Sequence, residues 1–117
     1  MDNNRASVTE AANRVARTLL IGTSVESFGV SHQIPFIEFR NSQGEDIYLS
    51  IQANMLFHPR PQEHLSVEEQ MLLGMNSVNL KKVIDAFCLE SSDLEVHFED
   101  GSWFQVSGTS DDGYEPW

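Results

Sequence analysis

Two stretches of this chain begin alike and are followed by similar alternation, and that repetition constrains the fold more than any other feature. Ser7-Val8-Thr9-Glu10 and Ser66-Val67-Glu68-Glu69 are both capping-box patterns, with a hydroxyl at the N-cap and a Glu three residues on. After the first, Val8, Ala12, Val15 and Leu19 recur at helical spacing, with Glu10 and Arg14 as a favourable pair one turn apart. This predicts a helix over 7–20, stopped near Gly22. Strand-like alternation follows at about 24–31, 35–40 and 46–52. An offset of 59 then aligns Val25 with Ile84, Phe28 with Phe87, Val30 with Leu89, Ile37 with Val96 and Phe39 with Phe98. Beyond a shorter hairpin loop, an offset of 55 aligns Tyr48 with Trp103, Leu49 with Phe104 and Ile51 with Val106.

The reading is a duplicated αβββ unit in an α+β fold, with chance alternation as its rival. Two antiparallel β-meanders of about three strands each would pack with helices 7–20 and 66–73. Gly74 and Asn76 are expected to end the second helix after Leu73. The pseudo-repeat halves are 7–53 and 66–107, within one domain. The stretch 54–65 contains His58-Pro59-Arg60-Pro61, which cannot continue a sheet interior, and is expected to be a linker. Residues 108–117 form an acidic tail.

The hairpin signal Phe98-Glu99-Asp100-Gly101-Ser102 admits two registers. A two-residue turn would mix apolar and polar side chains on both faces. A three-residue loop, with Gly101 left-handed, pairs Phe98 with Ser102 and Val96 with Phe104. Leu94, Val96, Phe98, Phe104 and Val106 then share one face, and Glu95, His97, Trp103 and Gln105 the other. Because one residue of slip flips every side chain, the clean separation selects the three-residue loop. The same logic pairs Ile37 with Leu49, Glu38 with Tyr48 and Arg40 with Asp46.

Charge is uneven. Residues 1–82 hold nine acids and all seven bases, whereas 83–117 hold nine acids and neither Lys nor Arg. A net charge of −11 argues against binding nucleic acid through phosphate neutralisation. Seven Phe, two Trp and two Tyr argue against a disordered chain, and a single cysteine, Cys88, excludes a disulfide scaffold. No apolar run approaches membrane-spanning length, and no signal-peptide core follows Met1, so a cytoplasmic location is expected.

Chemistry is hard to find. His58, Glu63 and His64 have metal-ligand composition, but two prolines separate them from any shared helical face. There is no phosphate-cradling glycine loop and no nucleophile turn. No metal, cofactor or catalytic residue is expected, and the chain is read as a binding protein rather than an enzyme. Trp103 beside His97 and Glu95 is the candidate anchor, since Trp is enriched among interface hot spots. Glu99, Asp100, Asp111 and Asp112 would steer and pair with basic groups. For Tyr114-Glu115-Pro116-Trp117 two readings stay open: it folds back over a sheet, or Tyr114 joins the contact surface. A helix, a terminus or a second copy in a homodimer covering Trp103 is the structural alternative.

The motifs Leu20-Ile21-Gly22-Thr23-Ser24-Val25, Phe98-Glu99-Asp100-Gly101 and Tyr114-Glu115-Pro116-Trp117 resemble those of small bacterial β-meander proteins. That group includes immunity proteins encoded beside polymorphic or contact-dependent toxins. The resemblance implies a cytoplasmic protein that neutralises a cognate toxin domain, expected to be basic, by stoichiometric binding. The competing expectations are a small-ligand or assembly domain and an acidic mimic of nucleic acid. The mimic would need carboxylates in long rows, whereas these acids alternate with apolar residues.

Overall fold

The computed structural model describes residues 3–51, 53–89 and 93–107. Helix α1 (Asn3–Leu20) leads into a meander of β1 (Ser24–Ser31), β2 (Ile34–Arg40) and β3 (Asp46–Ser50). Strand β4 (Met55–His58) and helix α2 (Val67–Val78) precede a second meander of β5 (Val83–Cys88), β6 (Leu94–Phe98) and β7 (Trp103–Val106). The strands form two antiparallel sheets, ordered β1-β2-β3 and β4-β7-β6-β5. The fold is α+β, as the two capping boxes and the alternation predict.

Both hairpin registers match expectation. Ile37 faces Leu49, Glu38 faces Tyr48 and Arg40 faces Asp46. Val96 faces Phe104 and His97 faces Trp103. The Phe98 N–H donates to the Ser102 carbonyl at 2.9 Å, and Gly101 turns the chain at φ +89°, a conformation that costs glycine little. Leu94, Val96, Phe98, Phe104 and Val106 are all buried in the core, where they join Ile37, Phe39 and Ile51.

Three expectations need correction. Helix α1 already runs from Asn3, so Ser7 lies inside it rather than capping it. Nothing in Asn3-Asn4-Arg5-Ala6 breaks a helix, and extending one needs no new nucleus. The capping box does form at α2, where Ser66 Oγ accepts from the Glu69 N–H and Glu69 Oε1 accepts from the Ser66 N–H. Those bonds hold the Glu69 carboxyl below the usual carboxylate range.

Second, α2 does not stop after Leu73 but continues through Gly74 and Asn76 to Val78. Third, the stretch 54–65 is not simply a linker, because it contains β4. The two errors have one cause. Phe57 of β4 turns inward, and its ring lies so close to Gly74 that an added Cβ would meet it at 2.3 Å. Gly74 is a contact surface for the strand, not a helix stop. Pro59 is compatible with this, since β4 is an edge strand and Pro59 lies just past its end.

The two halves meet along a short seam with two-fold character. An antiparallel bridge pairs Ser24 with Lys82. Around it, the Gly22 N–H donates to Val83 O (3.0 Å) and the Leu80 N–H to Val25 O (2.9 Å). The Val83 N–H donates to Thr23 O (2.8 Å) and the Val25 N–H to Lys81 O (3.0 Å). Each bond maps onto its counterpart when residue numbers shift by 58. Gly22 and Leu80, 58 positions apart, share left-handed conformations, and the helix ends Leu20 and Val78 share the same spacing. Both first strands carry a bulge, between Val25 and Ser27 and between Val83 and Asp85. The correspondence of β1 with β5 is therefore 58, not 59. Val83, like Val25, is buried, whereas Ile84 is 55 % exposed. The offsets 59 and 55 hold for the second and third strands, whose matched core residues are all buried or half-buried. The helices interlock across the seam, with α1 along β5 and α2 against β1. Asn13 Oδ1 accepts the Cys88 N–H, so α1 satisfies backbone at the outer edge of β5.

Candidate functional site

The outward face of the four-stranded sheet is built by strand alternation. One row across it is His58, Trp103, His97 and Asp85, and the next is Leu56, Gln105, Glu95 and Phe87. Four rings join into a ladder. His58 stacks on Trp103 with centroids 5.5 Å apart, Trp103 on His97 at 6.0 Å, and His97 on Phe87 at 5.5 Å. Their planes lie within 14–28° of each neighbour. Offset stacks of this kind contribute about 0.5–1.5 kcal/mol each beyond area burial. Because every ring stands on a different paired strand, the ladder is set by the sheet rather than by a loop.

Trp103, His97 and Phe87 are half-buried, and His58 is exposed. Glu95 Oε1 lies 3.1 Å from His97 Nε2, which orients the imidazole within the ladder. Gln105 Nε2 donates to Asp93 Oδ2 at 2.8 Å. Asp85 accepts the Ala86 N–H and sits 3.9 Å from Arg17 of α1. The rings are thus flanked by Glu95, Asp93 and Asp85, with Arg17 as the base at one margin. Leu56, 44 % exposed, extends the surface with apolar area.

The expected residues divide into groups. Glu95, His97 and Trp103 come together as a contiguous surface. Glu99 is exposed in the adjoining turn, where its N–H donates to Lys82 O. Asp100 is engaged within the chain: it accepts from Lys81 Nζ and from the N–H and hydroxyl of Ser102. The Lys81 hydrogen bond, followed by those from Ser102, holds the Asp100 carboxyl far below the usual carboxylate range. Its main task is to tie the β6–β7 turn to the loop after α2. Asp111, Asp112 and Tyr114 lie outside the described residues.

His58 and Phe87 belong to the ladder but escape the sequence reading. His58 falls in the stretch expected to be a linker, although Leu56 and His58 outward with Met55 and Phe57 inward is a short strand pattern. Phe87 is outward because its neighbours Ala86 and Cys88 are inward. Burial pushes the Cys88 thiol up, so it stays a protonated core group. Among the described residues, no group of three or more His, Cys, Asp or Glu converges to hold a metal, and no helix is long and apolar enough to cross a membrane. No family model, curated protein or solved structure matches the chain.

Proposed function

We propose that this chain is an immunity-type binding protein that neutralises a basic toxin domain by stoichiometric occlusion, docking through the outer face of its four-stranded sheet. The observation that carries the reading is the ladder His58–Trp103–His97–Phe87, a rigid aromatic surface flanked by carboxylates. Aromatic anchors in rigid surroundings give affinity, and flanking charge gives orientation and on-rate. The resemblance of the Phe98-Glu99-Asp100-Gly101 hairpin and the other short motifs to toxin-linked immunity proteins supplies the partner class. Cytoplasmic action follows from that class. The acids from Asp111 and Asp112 belong to the same charge excess.

Affinity capture from the producing bacterium, with the bound protein identified by mass spectrometry, tests this directly. The expected result is one stoichiometric partner carrying a basic domain that is toxic when expressed alone and harmless when co-expressed with this chain. A folded Trp103→Ala variant that binds that partner with unchanged affinity would remove the ladder from the interface. A partner that is a nucleic-acid enzyme of unrelated function would replace immunity with mimicry.

A further inference from the structure

The two halves differ at one edge. In the second, β4 lies against β7 and presses Phe57 onto Gly74 of α2. In the first, β3 is an edge strand with no partner on its outer side among the described residues. Ala16, the counterpart of Gly74 by the 58-residue spacing, instead lines an open groove of about 530 Å³. Its walls are apolar: Ala12, Val15 and Leu19 of α1, Ile47 and Leu49 of β3, and Leu94. Val15 is 57 % exposed and Leu19 47 %.

The backbone of β3 is poised for a further strand. The Ile51 N–H donates to Pro35 O and the Asn41 N–H to Glu45 O, so the odd-numbered residues of β3 bond toward β2. The N–H and C=O groups of Tyr48 and Ser50 consequently point to the open side. Their counterparts Trp103 and Gln105 point the same way in the second sheet and face β4.

The chain itself supplies a segment of sufficient length at the right place. The Ser107 N–H donates to Asn54 O at 2.9 Å, and Asn54 follows the end of β3 by four residues. Residue 108 therefore starts within roughly 15–20 Å of Ser50, and the ten residues 108–117 reach about 33 Å when extended. Running back from Ser50 toward Asp46, they would be antiparallel to β3, as β4 is to β7. Proline fixes the register. Pro116 has no N–H, so it cannot sit opposite Tyr48 or Ser50, and falls opposite Ile47 or Leu49. Those side chains face inward, and Tyr114, two residues earlier, shares the face of Pro116.

We propose that residues 108–117 pair antiparallel with the open edge of β3 and seat the Tyr114 ring in the groove against Ala12, Val15 and Leu19. This closes the first half as β4 closes the second. It also moves Tyr114 from the partner surface into the fold.

The test is amide hydrogen exchange by NMR on the free full chain, with Tyr114→Asp, Val15→Asp and a chain truncated after Ser107 as comparisons. Tyr48 and Ser50 amides should be protected at least tenfold in the full chain and lose that protection in all three variants, while the Val96 and Phe104 amides stay protected and report an intact core. Contacts between the Tyr114 ring and the Leu19 methyls should appear in the full chain only. Unprotected Tyr48 and Ser50 amides in the full chain would overturn the proposal, as would protection that survives truncation. Protection that falls on dilution would assign the groove to a second copy and overturn it too. No toxin is present in this experiment, so its result is independent of the immunity reading.

Discussion

The outer faces of the two sheets occupy equivalent positions and arrange their aromatic and charged side chains differently. Tyr48 corresponds to Trp103, Glu38 to His97 and Arg40 to Glu99. On the first face, Phe36 and Tyr48 form a single stack at 5.1 Å, and Arg40 is neutralised by Asp46 and Glu26 at 2.7 and 3.2 Å. On the second, the stack runs through four rings and the flanking charge is mostly acidic. The inner faces, by contrast, match closely in burial. The repeat preserves what packing demands and leaves the solvent side free to diverge, because outward strand positions contribute little to the core.

Cutting equivalent core rings tests that equivalence most severely. Phe39→Ala and Phe98→Ala should each destabilise the protein by about 3–5 kcal/mol, since both rings are fully buried. Urea unfolding of the two variants side by side measures this. A difference between them of more than about 2 kcal/mol would show that the halves are not packed alike.

The outer faces should separate where the inner ones agree. If the proposed docking face is right, Trp103→Ala is expected to weaken partner binding by about 2 kcal/mol or more, whereas Tyr48→Ala leaves affinity unchanged. Calorimetric titration of both variants with the captured partner decides the point, and equal losses would mean that both faces are engaged.

A smaller contrast concerns the helices. Gly74→Ala places a Cβ into the Phe57 ring and should destabilise by about 1–3 kcal/mol, although alanine is the better helix former. Adding Phe57→Leu to Gly74→Ala should recover part of the loss. If Gly74→Ala alone raises the Tm, the strand does not press on the helix as described.

The weakest expected effect is acidic. Asp46 is held below its ordinary pKa by the Arg40 hydrogen bond, and Asp100 by those from Lys81 and Ser102. A carboxyl whose pKa is lower folded than unfolded stabilises fully above its unfolded value, near 3.9, and loses that contribution as pH falls toward the folded value. Asp46→Asn and Asp100→Asn should therefore lower the Tm modestly at pH 7, with the gap to the parent protein closing in strong acid. Asp100→Asn should show the larger gap, because three donors converge on that carboxylate. A gap that widens on acidification would contradict the assignment.

Much of this molecule was legible from residue order. The inward and outward sides of β6 and β7 followed from a single register argument at Asp100-Gly101, because alternation leaves only one phase that puts Leu94, Val96, Phe98, Phe104 and Val106 on one face. Gly74, Phe57 and His58 were not legible, for a common reason. A glycine in a helix and a four-residue strand beside prolines carry weak local signals, and their meaning arises only when the two meet. The bulges at Glu26 and Ile84 were hidden in the same way, since an extra residue in one strand is visible only against its partner.

The sequence by itself determined the α+β class, the two meanders, their hairpin registers and the acidic bias of the last third, because each is a local or periodic property. Tertiary structure alone decided that α1 lies along β5, that β4 completes one sheet while β3 stays open, that Lys81 claims Asp100, and that His58 and Phe87 extend a stack begun by Trp103 and His97. These depend on groups far apart in the chain, whose pairing is chosen by the shape of the whole core rather than by any segment within it.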